Sequence, residues 1–500
     1  MFLLGYDIGS SSVKAALVKA DSGEVLGISH APETEMPIDA LQADWAEQDP
    51  EMWWKYLAIA TSSLLQKTKV DTSQILSIGI SYQMHGLVLV DKEGELIRPS
   101  IIWCDSRAVS QGEIAFQKMG KEFCLISLLN SPGNFTAAKL KWVQENEPDN
   151  FARIHKIMLP GEYIAYRMTG EIITTSSGLS EGVFWDFKTN EVSNALMEHF
   201  NFDNKLLPEV RPVFSEQGKL NKKAAAKLGL KAGTPITYRA GDQPNNALSL
   251  GVIEPGQVAA TGGTSGVVYG VVNKPVFDQD SRVNAFAHVN HQSTYLPEND
   301  KDRIGVLLCI NGTGIQYSWL KKLMAEEDWT YESMEKEATS IPVGSDGIRV
   351  FPFGNGAERM LKNKNPGGSI RHLNFNRHGK KHLIRAALEG IAFAMVYGMK
   401  IMQSMGIKVE LMRVGNDNLF QSDIFSQTIA NCMNCQIEMI ETTGAVGAAK
   451  GSGFGIGYYK SLEEAVNKIH SIKSFKPNGS ADLTLAFYHK WENELNEQLK

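Results

Sequence analysis

The sequence is short of several features that would place it outside the ordinary globular class. It has five cysteines in 500 residues, Cys104, Cys124, Cys309, Cys432 and Cys435. An odd number so thinly spread argues against a disulfide framework. Cys432-Met433-Asn434-Cys435 is a lone C-x-x-C without a second pair or a histidine couple, which predicts buried thiols rather than a metal site. No apolar run reaches the roughly 18 residues that cross a membrane, and no basic leader precedes the first apolar stretch, so a cytoplasmic protein is expected. Positive charge is not in excess. Fifty Lys and Arg stand against 56 Asp and Glu, and the net charge of -6 offers no general attraction for nucleic acid or an anionic membrane. Two common nucleotide motifs are absent as well: no G-x-x-x-x-G-K-[ST] occurs, and the glycines from Gly451 to Gly457 do not form G-x-G-x-x-G after a strand.

What the chain does have is length and a repeated grammar. Five hundred residues are too many for one core. Near the start, the apolar run Phe2 to Tyr6 meets the polar turn Asp7-Ile8-Gly9-Ser10-Ser11-Ser12 and a second apolar run, Val13 to Val18. In the second half, Gln257 to Ala260 meets Thr261-Gly262-Gly263-Thr264-Ser265-Gly266 and then Val267 to Val272. Both read as hairpins whose turns expose backbone N–H and hydroxyl groups, a concavity suited to anions. Two such turns on separate domains suit a polyphosphate gripped from both sides.

The pattern between them is strands, helix, strand, which predicts an α/β fold. Pro50 marks the start of a helix towards Gln66, Ile75 to Ser81 a buried strand, and Leu411 to Val414 and Gln436 to Ile440 two further strands. The later order echoes the earlier one, as in a duplicated fold. A boundary is expected near residue 248, giving domains 1–248 and 249–500, the second ending in a helical segment.

Four places carry candidate chemistry. Asp7 ends the first strand; turn aspartates often only bond nearby N–H groups, but this one also suits a Mg²⁺ ligand, with Ser10, Ser11 and Lys14 near phosphates. Pro235 to Asn246 predicts a strand, a tight Gly241-Asp242 turn and a helix with Pro244 at its first position and Gln243 as cap. A carboxylate near a helix N-terminus is expected to stay ionised and to accept a proton from a substrate hydroxyl. His85 sits between Met84 and Gly86, where the backbone can approach closely and an imidazole can bind polyol hydroxyls. Asp105, within Trp103-Cys104-Asp105-Ser106-Arg107, offers further polar groups to the same pocket, or pairs with Arg107 at the surface.

Together these segments resemble the FGGY carbohydrate kinases, and among them the xylulokinases. The likeness runs in order over nearly the whole chain: Gly5 to Ser11, Trp45 to Pro50, Gln83-Met84-His85-Gly86, Trp103 to Arg107, Gly241-Asp242, Gly263 to Gly266 and Gly444 to Ala449. The resemblance implies two actin-like, ribonuclease-H-like domains with the active site in the cleft between them, and ATP with Mg²⁺ as cosubstrate and cofactor. It implies Asp242 as the base, also near the metal with Asp7, and Met84, His85 and Gln243 as sugar contacts. Gly263 and Thr264 would face the phosphates, and Gly314, Gly415, Asn416 and Asn418 would border the adenosine. D-Xylulose is the implied substrate and a homodimer the implied assembly. Gly-Asp-Gln also resembles glycerol kinases, although Met84-His85 stands where those have Arg-Glu. Alternatives are a kinase for L-ribulose, D-ribulose, glycerol or gluconate, and an actin- or chaperone-like ATPase.

Overall fold

The computed structural model describes residues 1–324, 329–467 and 471–500. Each hairpin seen in the sequence seeds a sheet. Phe2–Ile8 pairs antiparallel with Val13–Lys19, which pairs antiparallel with Val25–Ala31. On its other side Phe2–Ile8 runs parallel to Ile75–Tyr82, and Ile75–Tyr82 parallel to Ile236–Gly241. The second sheet repeats this plan. Gln257–Gly262 pairs antiparallel with Gly266–Val272, then Ile304–Ile310, and on the other side parallel with Leu411–Gly415 and Gln436–Ile440. It adds an edge strand at each end, Asn284–Ala287 and Ser471–Phe475. The same order of three antiparallel strands and two parallel ones in both halves is a duplication, as the sequence echo implied.

Parallel neighbours need a crossover, and helices supply it. Pro50–Thr68 crosses between the third and fourth strands of the first sheet, with Pro50 in the first turn and the Asp49 carboxylate accepting the Glu51 N–H at 2.9 Å. Lys380–Ser404 does the same in the second half. Its buried length is a near-continuous apolar run, because it is covered on most sides.

The last parallel strand of each sheet feeds a helix that packs across the divide. Gly444–Gly455, from the second half, lies on the first sheet, and Asp242–Ser249 lies between it and the second sheet. Small residues make this possible. A Cβ on Gly5 would come 1.9 Å from the Ala445 carbonyl oxygen, and one on Gly79 1.9 Å from that of Ala448. No side chain fits there. The seam is stitched by Asn245 Nδ2 to the Gly444 carbonyl (2.9 Å), Ser77 to Ser452 (2.9 Å) and Thr237 to the Ser452 carbonyl (2.8 Å). A second seam forms at the edge strand Asn284–Ala287, where Asn130, Ser177 and Ser180 of the first half bond the backbone of Ala285 and Ala287. Among the described residues no helix is long and apolar enough to cross a membrane. Cys432 and Cys435 are buried free thiols, each pushed up to about 12 by burial.

Candidate active site

Two carboxylates meet where the first sheet ends. Asp7, on the first strand, accepts the Ser81 hydroxyl through Oδ1 at 2.9 Å. Its Oδ2 faces Gly444, where a Cβ would approach to 2.6 Å. Asp242 opens the Asp242–Ser249 helix and is itself the first helical residue, after Gly241. This corrects the expected cap: Pro244 is the third helical residue rather than the first, because no N–H of the first turn needs an intrahelical acceptor and proline is free anywhere in it. It also corrects the expected charge state. Burial pushes the Asp242 carboxyl up to about 7, the negative Asp7 adds to this, and the main-chain and side-chain amides of Gln243 pull the other way. Desolvation outweighs the helix N-terminus.

The wall that carries Met84 and His85 is tightly bonded. His85 has a left-handed backbone, with φ of 60°. Its ring Nδ1 lies 2.8 Å from the Glu181 carbonyl oxygen, its N–H points at Glu181 Oε1 at 3.4 Å, and its carbonyl accepts Lys139 Nζ at 2.8 Å. The ring rests edge-on to Phe135, with Phe286 of the second half beside it. Burial, and then the Lys139 ammonium, push His85 down to about 3, so it is neutral. Burial likewise pushes the fully buried Lys139 down to about 7. Met84 is buried against Gly241. Asp105 does not reach this pocket. Its carboxylate is fully buried and spent on the Arg107 guanidinium (2.6–3.0 Å) and the Ala46 N–H (2.6 Å). Arg107 also stacks 3.7 Å from the Trp45 ring, so the pair is a buried brace, not a surface one.

The wall that carries the second hairpin is open. A cavity of about 630 Å³ is lined by Gly263, Thr264, Gly314 and Asn418 from the sequence reading. The turn carbonyls of Gly263 and Thr264 are taken by Gly314 N–H (3.0 Å), Ile315 N–H (3.2 Å) and the Thr313 hydroxyl. Thr264 and Ser265 are exposed. Gly415 and Asn416 do not line the cavity; Asn416 Nδ2 donates instead to Glu441 at 2.8 Å. Ser10, Ser11 and Lys14 belong to the other hairpin, outside this cavity. The Ser10 hydroxyl accepts the Trp103 indole N–H at 3.3 Å, and burial raises the Asp417 carboxyl, an effect that Asn418 and the Lys14 ammonium offset only in part. Sequence reasoning missed Tyr317 and Tyr331, whose stacked rings (5.4 Å) wall the cavity, together with Glu335 and Gln421. It also missed Lys139 and Glu181. A lysine inside the otherwise apolar face of Thr136–Asn146 was a readable signal for the first.

Among the described residues no group of three or more candidate ligands converges, but Asp7 and Asp242 are two hard oxygen donors near enough for the charge of Asp7 to raise Asp242, and one or two carboxylates with the substrate's phosphates is a donor set that would suit Mg²⁺.

Two like sheets, crossing helices and a cleft with carboxylates on one wall and a Gly-Thr hairpin on the other define a two-lobed kinase of the sugar kinase and actin-like type. The chain belongs to the FGGY family of carbohydrate kinases, whose N-terminal domain matches residues 2–249 and C-terminal domain residues 258–451. It is therefore a sugar-phosphorylating enzyme, and kinases of this family use ATP with Mg²⁺. It is 28% identical to a xylulose kinase of Bacillus subtilis over 95% of this chain and 93% of that one. Among solved structures, a xylulose kinase from Rhodospirillum rubrum (TM-score 0.87, 23% identity, 99% of each chain) shares the fold. So does a gluconate kinase from Lactobacillus acidophilus (TM-score 0.88, 22% identity, 100% of this chain and 98% of that one).

Proposed function

We propose that this enzyme transfers the γ-phosphoryl group of ATP to the terminal hydroxyl of D-xylulose, giving D-xylulose 5-phosphate and ADP. The observation that carries the site assignment is the Asp242 carboxyl, lifted by burial to about 7 beside Asp7. A base works best when its pKa lies near the operating pH. Asp242 takes the proton of the sugar hydroxyl as its oxygen bonds to phosphorus and the bond to the ADP oxygen breaks. Asp7 and Asp242 would hold Mg²⁺, which when bound neutralises charge on the phosphates. Met84, His85 and Gln243 orient the sugar, and the Thr264 turn receives the phosphate tail. The two lobes exclude water from the transfer, which limits wasteful hydrolysis of ATP.

The preference for D-xylulose rests on the xylulose kinase relatives together with Met84-His85. The reading carries with it a cytoplasmic location and a homodimer. The test is ADP release with D-xylulose, L-ribulose, D-ribulose, glycerol and gluconate, each with and without Mg²⁺. The expected result is Mg²⁺-dependent ADP formation, fastest with D-xylulose. Faster release with another of the five would replace the substrate, and a rate no sugar stimulates would overturn the reading.

A further inference from the structure

Glu181 is the least explained group near the site. It ends the short helix Ser176–Glu181 and is 1% exposed. Its Oε1 meets the His85 N–H, and its Oε2 is buried with no partner. That oxygen lies under the backbone next to the proposed base: a Cβ on Gly241 would come 2.4 Å from it. Its own carbonyl oxygen is 2.8 Å from His85 Nδ1. One residue thus holds His85 at two points, main chain and ring.

We infer that Glu181 is the positioning residue of the sugar subsite: it fixes His85 as the Nδ1–H tautomer, leaving Nε2 an acceptor that selects a substrate hydroxyl. A carbonyl oxygen can only accept, so the nitrogen facing it carries the hydrogen. A neutral imidazole has one hydrogen, so Nε2 has none. The imidazole is neutral, held down to about 3 by burial and by the Lys139 ammonium. The subsite therefore suits a hydroxyl that donates and disfavours a carbonyl or carboxylate oxygen, which would set two lone pairs face to face. The carboxyl's part is to pin the strained His85 backbone from below without adding a charge. Burial raises it well above the usual carboxylate range, with Glu162 and Asp242 adding to this. Tyr82, Tyr269 and His85 are the other titratable groups it faces.

The inference rests on the proposed function only in taking His85 as a sugar contact, and its first test needs no substrate. In protein labelled with ¹⁵N in histidine, the His85 ring is expected to show a protonated Nδ1 and a bare Nε2 at neutral pH. The opposite tautomer, or an imidazolium, would overturn it. The second test uses Glu181→Gln and Glu181→Ala with whichever sugar drives ADP release. Glutamine keeps the shape and the neutral acceptor, so the sugar KM is expected within about twofold of the parent. Alanine is expected to raise the sugar KM tenfold or more and leave the ATP KM within twofold. Equal rises in both KM values, or a glutamine variant as impaired as the alanine one, would overturn the positioning role. A different preferred sugar would sink the D-xylulose reading and leave both tests intact.

Discussion

The two walls of the cleft are built on different terms. On the side proposed for the sugar, His85 is bonded through its amide, its carbonyl and its ring, and its partners Glu181 and Lys139 are themselves buried. On the side proposed for the nucleotide, Thr264 and Ser265 are exposed around a cavity of about 630 Å³ whose wall is two tyrosine rings and backbone turns. The first wall is held by buried hydrogen bonds; the second leaves its polar turn open to solvent. Preorganisation belongs where a small, hydroxyl-rich substrate must be told from its isomers, since a misplaced buried polar group is costly. A nucleotide brings its own large apolar face and charges, and a looser wall suffices.

The comparison breaks most completely at Asp242. Asp242→Asn keeps size and burial but removes the proton acceptor, and kcat is expected to fall about 10² to 10⁴-fold while circular dichroism and the thermal midpoint stay near the parent's. Turnover near normal would remove the base. In the parent, kcat/KM for the sugar is expected to fall on the acid side, because burial and Asp7 raise Asp242 and it is protonated below about 7. Bound Mg²⁺ moves that limb lower, so raising Mg²⁺ should extend activity towards acid pH.

Gly444→Ala comes next. Its methyl would press within 2.6 Å of Asp7 Oδ2, so the carboxylate has to shift. A displacement of about 1 Å costs on the order of 10²-fold in a positioned reaction. The expected signature is a lower kcat and a higher Mg²⁺ requirement with an unchanged sugar KM, measured by ADP release against titrated Mg²⁺. Unaltered kinetics would mean that Asp7 is not held by this seam.

Much of this was legible in the sequence because it lies in local patterns. Hairpin turns, the helix start at Pro50 and the ordered segments from Gly5 to Ala449 are each set by neighbours in the chain. Gly444 to Ala449 is a run of small residues, yet what keeps Gly444 and Gly447 small is Asp7 and Ser249, hundreds of positions away, and the same close packing leaves no room for a side chain at Gly5 or Gly79. Asp105 looked like a pocket carboxylate for the opposite reason. Arg107, two positions on, is a local partner that the sequence offers, but Ala46 reaches the carboxylate only through folding, and no local pattern reports that the pair is buried and its charge spent. Glu181 was invisible because a lone glutamate among serines and glycines predicts a solvated turn. Only the tertiary packing buries it.

His85→Ala tests the ordered wall directly. It removes a ring anchored on Glu181 and packed on Phe135 and Phe286, and the sugar KM is expected to rise about tenfold or more while the ATP KM changes less than half as much. Parallel rises in both would make the histidine structural.

The smallest effects are expected on the open wall, where two substitutions separate the residues that line the cavity from those that only neighbour it. Tyr331 stacks on Tyr317 at the cavity edge, and its loss removes a ring worth about 0.5–1.5 kcal/mol in such pairs. Tyr331→Ala should therefore raise the ATP KM about two- to tenfold and leave the sugar KM alone. Asn416→Ala should change neither, because the Asn416 side chain bonds Glu441 instead of facing the cavity. If Asn416→Ala weakens ATP as much as Tyr331→Ala does, the loop from Gly415 to Asn418 turns inward when nucleotide arrives. The contrast between a wall held by buried hydrogen bonds and one left open would then be sharper, since that loop would owe its working arrangement to ATP.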